Sequence, residues 1–314
     1  MRAAAISIAE RIDVAQPLVP PLLPIGLGSF LRRDFPPREQ LLAPWLPAKG
    51  LSMVFAPRGV GKTHFALAVA YAVASGSRFL KWSAPLPRKV FLLDGEMPAA
   101  ALQERWREIV KAGADDGIDI EDDDAIRILS SDLCEFGIPD LSTEAGQKQL
   151  EPLIGDAELI VVDNLSTICR SGKENESESW GCVQAWALGQ RRKGRSVLFV
   201  HHAGKGGEQR GTSKREDVMD SVVKLSHPED YDAADGARFT VTFTKSRGFF
   251  GDDAESFEAS MRDGRWSWKD IADALIAQAR AMATEGMTQR QIAKELGCSP
   301  AKVNRMLAKA RETV

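Results

Sequence analysis

The 314-residue sequence predicts an α/β protein, a doubly wound sheet followed by a small all-α helix-turn-helix module. Three observations predict it. Short, continuous apolar runs alternate with helical patterns between residues 51 and 200. A glycine-rich loop joins the first run to a helix. Two short, capped helices meet at a glycine near the C-terminus. The composition, 44% hydrophobic and 27% charged, excludes a disordered or fibrous chain. At a net charge of −3, any nucleic-acid contact must come from local basic patches. No apolar run reaches the length of a membrane span. The apolar stretch Ala3–Ala9 is too short and too interrupted for a secretory signal. Cys134, Cys169, Cys182 and Cys298 are scattered, as expected of reduced cytoplasmic thiols.

Residues 1–48 carry many prolines, among them Pro17, Pro20, Pro21, Pro24, Pro36, Pro37 and Pro47, and read as an arm or linker. Residues 49–269 read as the α/β domain. Its apolar runs are Leu51–Phe55, Val90–Leu93, Ile126–Leu129, Leu159–Val162 and Val197–Val200. Unbroken runs of this length are expected to be parallel strands buried on both faces. Phe239–Arg247 alternates instead, with Phe239, Val241 and Phe243 on one face. That predicts an antiparallel strand near a sheet edge. Asp115–Asp124, with six Asp and one Glu, reads as a solvated loop. In residues 270–314, Ile271, Leu275, Ala279 and Met282 mark an amphipathic helix. Thr288 and Gln291 form a capping box, Gly297 stops that helix, and Ser299 with Pro300 opens the next. Val303, Met306 and Leu307 supply its buried stripe.

Ala56-Pro-Arg-Gly-Val-Gly-Lys62-Thr63 follows a strand and opens a helix, which is a P-loop in its proper context. Arg58, Gly59, Val60, Gly61, Lys62, Thr63 and His64 are the candidate nucleotide-binding residues. The loop's N–H groups cradle phosphates, and Lys62 reaches the β/γ-phosphates. ATP and Mg²⁺ are the expected ligands, with Thr63 and Asp163, at the end of Leu159–Asp163, as metal residues. Ala56 replaces the usual first glycine, which is tolerable if its φ stays negative. Asn164 follows Asp163, so no carboxylate stands there. Glu96, in Leu93-Asp-Gly-Glu-Met-Pro98, lies after the second strand and could deprotonate the attacking water.

The APRGVGKT loop, the LLDGEMP, VVDNLST, VLFVHHAGKG and RGTSKREDVMD segments and the FTKSRGFFG strand end together resemble the RecA-like ATPases. Among these the chain is most similar to RepA-type plasmid replicative helicases, ring-forming relatives of the DnaB helicases. The resemblance implies Glu96 as catalytic base, and His201 and His202 as γ-phosphate sensor. A hydrogen-bonded cap or half a metal site is the other reading of that histidine pair. It also implies Lys245 and Arg247 as basic fingers toward a neighbouring subunit's nucleotide; a surface salt bridge is the alternative. Period two is expected to continue the Phe239/Val241/Phe243 face into both cations. A finger acting in trans requires a homo-oligomer, expected to be a hexamer.

Single-stranded DNA is the expected partner of the ring channel. The family's channel loops correspond to Arg170–Glu178 and Gly204–Arg215. The second offers Lys205, Arg210, Lys214 and Arg215 among glycines. Neither loop carries an aromatic. Residues 271–314 hold seven Lys and Arg against four acidic residues, and Lys302, Asn304 and Arg305 lie off the apolar stripe. That favours duplex contact, with protein docking as the alternative. RepA-type helicases need no such module. The sequence therefore predicts an ATP-hydrolysing DNA motor of plasmid or mobile-element replication, or else an ATP-gated DNA-binding regulator.

Overall fold

A computed structural model describes residues 24–120, 122–170, 177–204 and 215–312. The chain forms two units that divide after Pro37. In the first, helix α1 (Leu27–Leu31) leaves Leu27, Phe30 and Leu31 exposed, and Phe30 packs on Phe35 at a ring separation of 5.5 Å.

The second unit opens with β1 (Gln40–Leu42) and β2 (Leu46–Pro47), a small antiparallel pair. Leu41, Leu42, Trp45 and Leu46 are fully buried there, so the expected limit of the arm at residue 48 falls inside this unit. Their apolar side chains, not the prolines between them, decide the placement. β3 (Leu51–Ala56) leads through the P-loop into α2 (Lys62–Ser75). A short pair, β4 (Arg78–Phe79) and β5 (Trp82–Ser83), precedes β6 (Val90–Asp94) and α3 (Ala99–Asp115). Then come β7 (Ile126–Ser130), α4 (Glu144–Ile154), β8 (Leu159–Asp163), α5 (Leu165–Ile168), α6 (Ser177–Arg192) and β9 (Ser196–His202). The sheet is completed by β10 (Ser221–Ser226), β11 (Arg238–Ser246), β12 (Phe257–Arg262) and β13 (Arg265–Asp270).

These strands form one nine-stranded sheet, ordered β13-β12-β11-β10-β3-β9-β8-β6-β7. The six from β10 to β7 are parallel, and β11, β12 and β13 add antiparallel. Two apolar layers sandwich the sheet. On one side α2 and α3 meet an aromatic cluster of Trp45, Phe65, Phe79, Trp82, Phe239 and Phe257. On the other, α4, α5 and α6 bring Leu150, Ile154, Leu165, Trp180 and Trp186. The expected strands β3, β6, β8 and β9 are buried on both faces. β7 departs from that expectation. It is the outermost strand, so one flank lacks a neighbour and Ile128 stays exposed.

β11 is antiparallel as expected, but two further strands lie beyond it. A β-bulge also breaks its period. Val223 pairs with Phe243 while its neighbour Val222 pairs with Lys245, so Thr244 is the extra residue. The bulge turns Lys245 to the face opposite Phe243, and the expected continuation of the apolar face into the two cations does not occur.

The C-terminal module has its own core. α7 (Ile271–Thr284), α8 (Gln289–Glu295) and α9 (Pro300–Glu312) bury Ala279, Ile292, Ala293, Val303 and Met306 together. The Thr288–Gln291 capping box forms in both directions, and Gly297 takes the left-handed backbone between α8 and α9 at φ 58°. Among the described residues, no helix is long and apolar enough to cross a membrane.

Candidate functional site

The P-loop bends through two left-handed glycines, Gly59 (φ 83°) and Gly61 (φ 112°). A side chain at Gly61 would also press on the Phe239 ring, 3.3 Å from where its Cβ would stand. Ala56 keeps a negative φ, which is why the missing first glycine is tolerated. No side chain caps the N-terminus of α2, so its first N–H groups remain for a ligand. Lys62 is mostly buried, and its Nζ donates to the Pro57 carbonyl at 3.0 Å. Burial lowers its pKa, against the opposing pull of Asp163 and Glu96.

A cleft of about 830 Å³ opens over this loop. Arg58, Gly59, Gly61, Lys62, Thr63 and His64 form one wall; Val60 is instead buried beneath the loop. Glu96, Met97, Pro98, Ala101 and Arg105 form the second wall, and His202 stands between. Tyr231, Gly236, Ala237 and Met261, from the β10–β11 turn and β12, also line the cleft. Arg238 holds that turn by ion pairs to Asp230, Asp235 and Glu258 at 2.7–2.9 Å.

The second wall depends on a tight turn after β6. Gly95 donates to the Asp163 carbonyl at 2.7 Å, and a Cβ on Gly95 would stand 2.4 Å from Thr167 Oγ1. Only glycine fits there. Asp94 accepts from the Met97 N–H at 3.2 Å, which sets the turn that presents Glu96. Asp94 and Asp163 pair across β6 and β8, two carboxylates side by side at strand ends. Burial raises both, Asp94 to about 6 and Asp163 to about 7, with the neighbouring carboxylates adding to the effect.

Asn164 Nδ2 donates to Glu96 Oε2 in a short contact, and His202 Nε2 lies 3.2 Å from the same nitrogen. Glu96 Oε2 and His202 Nε2 are 3.6 Å apart. The structure therefore joins Lys62, Glu96 and His202 in one cleft. His201 does not join them. Successive strand residues alternate, and His201 turns to the opposite face, where it meets Arg215 at 2.6 Å. Arg215 is itself buried, 5.7 Å from the Trp180 ring, and so does not act as the exposed loop cation expected of it. Lys205, Arg210 and Lys214 lie outside the described residues.

Lys245 and Arg247 stand at the far end of the sheet from the P-loop, because β11 runs antiparallel to β10 and β3. Lys245 Nζ donates to the carbonyls of Glu216 and Asp217, and the Arg247 side chain is exposed. Neither reaches the nucleotide cleft of its own chain. In the module, Lys302, Asn304 and Arg305 are exposed on α9, off the buried Val303/Met306 stripe. Asn304 accepts from Gln289 at 3.4 Å.

Sequence reasoning missed the part played by Asn164, Asp94, Arg105 and the Tyr231–Ala237 turn. Arg105 had a signal: Pro98, Ala101 and Arg105 follow one another at helical spacing on the cleft side of α3.

The oxygens of Thr63 and Asp163 suit a hard cation. Thr63 donates to Asp163, and Asp163 Oδ2 is buried without a hydrogen-bond partner among the described residues. Among the described residues, no group of three or more His, Cys, Asp and Glu side chains could hold a metal ion.

A parallel sheet with a P-loop at the end of β3, a carboxylate after β6 and an aspartate ending β8 defines a RecA-like P-loop ATPase domain. Residues 22–208 match the family described as the AAA domain, and the chain belongs to it. Residues 281–314 match the family described as sigma-70, region 4. A similar solved structure is the KaiC-like protein PH0186 from Pyrococcus horikoshii OT3. It is 14% identical, with a TM-score of 0.50 over 73% of this chain and 93% of that one. The likeness is one of fold. No curated protein matches the chain.

Proposed function

We propose that the chain hydrolyses ATP and uses the cycle to act on DNA, as one subunit of a ring-forming motor of the RepA type. The observation that carries this reading is Glu96, facing Lys62 across the cleft and held by Asn164 beside His202. The P-loop N–H groups and Lys62 hold the triphosphate. Glu96 orients a water in line with the terminal phosphate and takes its proton as the oxygen bonds to phosphorus and ADP leaves. His202 and Asn164 sense the γ-phosphate through their contact with Glu96. Mg²⁺, held by Thr63 and Asp163, would neutralise charge on the phosphate oxygens.

Lys245 and Arg247 face away from their own cleft, which favours service to a neighbouring copy. Lys205, Arg210 and Lys214 are proposed to grip single-stranded DNA, and Lys302, Asn304 and Arg305 duplex DNA. A second reading, an ATP-gated DNA-binding regulator without unwinding, is favoured by the match of the module to sigma-70, region 4.

One experiment separates these readings. ATP turnover is measured against chain concentration, with and without single-stranded DNA, together with unwinding of a forked duplex. The motor reading expects turnover per chain to rise with concentration and with single strands, and the fork to open. Glu96→Gln should bind ATP and lose turnover by ~10²-fold or more. Turnover without any unwinding would favour the regulator, and unchanged turnover in Glu96→Gln would remove Glu96 as base.

A further inference from the structure

The nucleotide cleft holds one cation that neither the P-loop nor a neighbouring subunit supplies. Arg105 lines it from α3, on the face it shares with Pro98 and Ala101. Its guanidinium is partly buried, yet the one side-chain hydrogen bond it makes among the described residues runs from Nη1 to the Met97 sulfur at 3.1 Å. A thioether is a weak, uncharged acceptor. Four other partly buried arginines of this unit are treated differently. Arg88 pairs with Glu39 and Glu158, Arg127 with Asp156, Arg195 with Glu151, and Arg238 with three carboxylates. Among the described residues, Arg105 has no carboxylate within ion-pair distance.

Desolvating a guanidinium without an anion is costly, and burial accordingly lowers the Arg105 pKa. Asp163, Glu108 and Asp94 favour its charge from a distance without touching it.

We infer that Arg105 is the cation by which this chain grips the terminal phosphate of its own bound ATP, an inference that rests on the ATPase reading above. Arg105 lines the same cleft as Lys62, Glu96 and Met97, and the strand-end carboxylates Asp163 and Asp94 act on its charge. The terminal phosphate must lie between Lys62 and Glu96. A planar guanidinium there can donate two parallel hydrogen bonds to one phosphoryl group. The contact exists with ATP and is lost with ADP, so Arg105 sets the preference between the two. It also lies in cis, independent of any finger from a neighbouring copy.

The test uses the full chain with Arg105→Ala and Arg105→Lys. ATP and ADP affinities are measured separately by displacement of a fluorescent ATP analogue, and folding is followed by circular dichroism. Arg105→Ala should weaken ATP by about tenfold or more and ADP by less than about threefold, as loss of a charge-assisted bond requires. Arg105→Lys should recover part of the ATP affinity, since charge returns without the fork. Equal loss for both nucleotides, or no loss for either, overturns the inference. Lys62→Ala is measured alongside. If it abolishes ATP binding while Arg105→Ala does not weaken it, only the Arg105 contact falls. If neither variant changes binding, the ATPase reading falls as well. Should Arg105→Ala fail to fold, the ATP-to-ADP ratio of Arg105→Lys decides by the same criterion.

Discussion

Asn164 divides its amide between two tasks. Oδ1 accepts the Ser166 and Thr167 N–H groups at 3.0 and 3.3 Å and so caps α5. That fixes which way the amide points and turns Nδ2 toward Glu96 and His202. Asn164→Asp keeps the cap acceptor and removes the donor. Its carboxylate would meet Glu96 directly. We expect its melting temperature to stay within a few degrees of the parent, with turnover falling by ~10–100-fold, because Glu96 loses its orienting bond. Asn164→Ala should lose the cap too, at about 1 kcal/mol of stability. Thermal melts and kcat of the two variants together distinguish the tasks. The P-loop, Glu96 and Asp163 were legible from the chain because each sits at a fixed offset from an apolar run. Asn164 was read as a missing carboxylate, since its value depends on a neighbour 68 residues away, which local spacing does not report.

At the scale of the element, four strands were legible because two-sided burial demands unbroken apolar sequence. β10 escaped notice because Lys224 interrupts its run, and β12 and β13 because their outward residues are polar. The bulge at Thr244 was invisible for a different reason. It answers to pairing with β10, not to anything within β11. A second distant pairing secures the segment before β3. Arg38 grips Asp220 at 2.9 and 3.0 Å, and Asp220 also accepts the Leu51 N–H. Burial alone would raise this carboxyl; the Arg38 and Leu51 hydrogen bonds outweigh it and hold it below its ordinary value. A depressed folded pKa stabilises above the unfolded value and its contribution fades as pH falls through the folded one. Arg38→Ala should therefore cost about 2–3 kcal/mol at neutral pH, since a buried carboxylate loses its counter-ion. It should also flatten the loss of stability that the parent shows on acidification below pH ~4. Urea melts between pH 7 and pH 3 measure both effects.

On the scale of the whole molecule, an acidic chain presents a helix, α9, with an exposed basic face. Arg305 and Lys302 are exposed on α9 while Val303 and Met306 anchor it. Arg305→Ala should weaken duplex affinity and lower the slope of log affinity against log salt by about 1, leaving ATP turnover unchanged. Unaltered affinity across salt, by fluorescence anisotropy, would assign the module to a protein partner. The helix-turn-helix was fully legible because caps, stop glycine and apolar stripe are all local signals.

Asp270 both ends β13 and stands at the N-cap position of α7, so no linker separates sheet from module. β13 pairs along its length with β12, and Met261 of β12 forms part of the nucleotide cleft. The hairpin thus links the cleft, through Met261, to α7, the first helix of the module. By reciprocity, whatever factor ATP imposes on duplex affinity, the duplex imposes on the affinity for ATP.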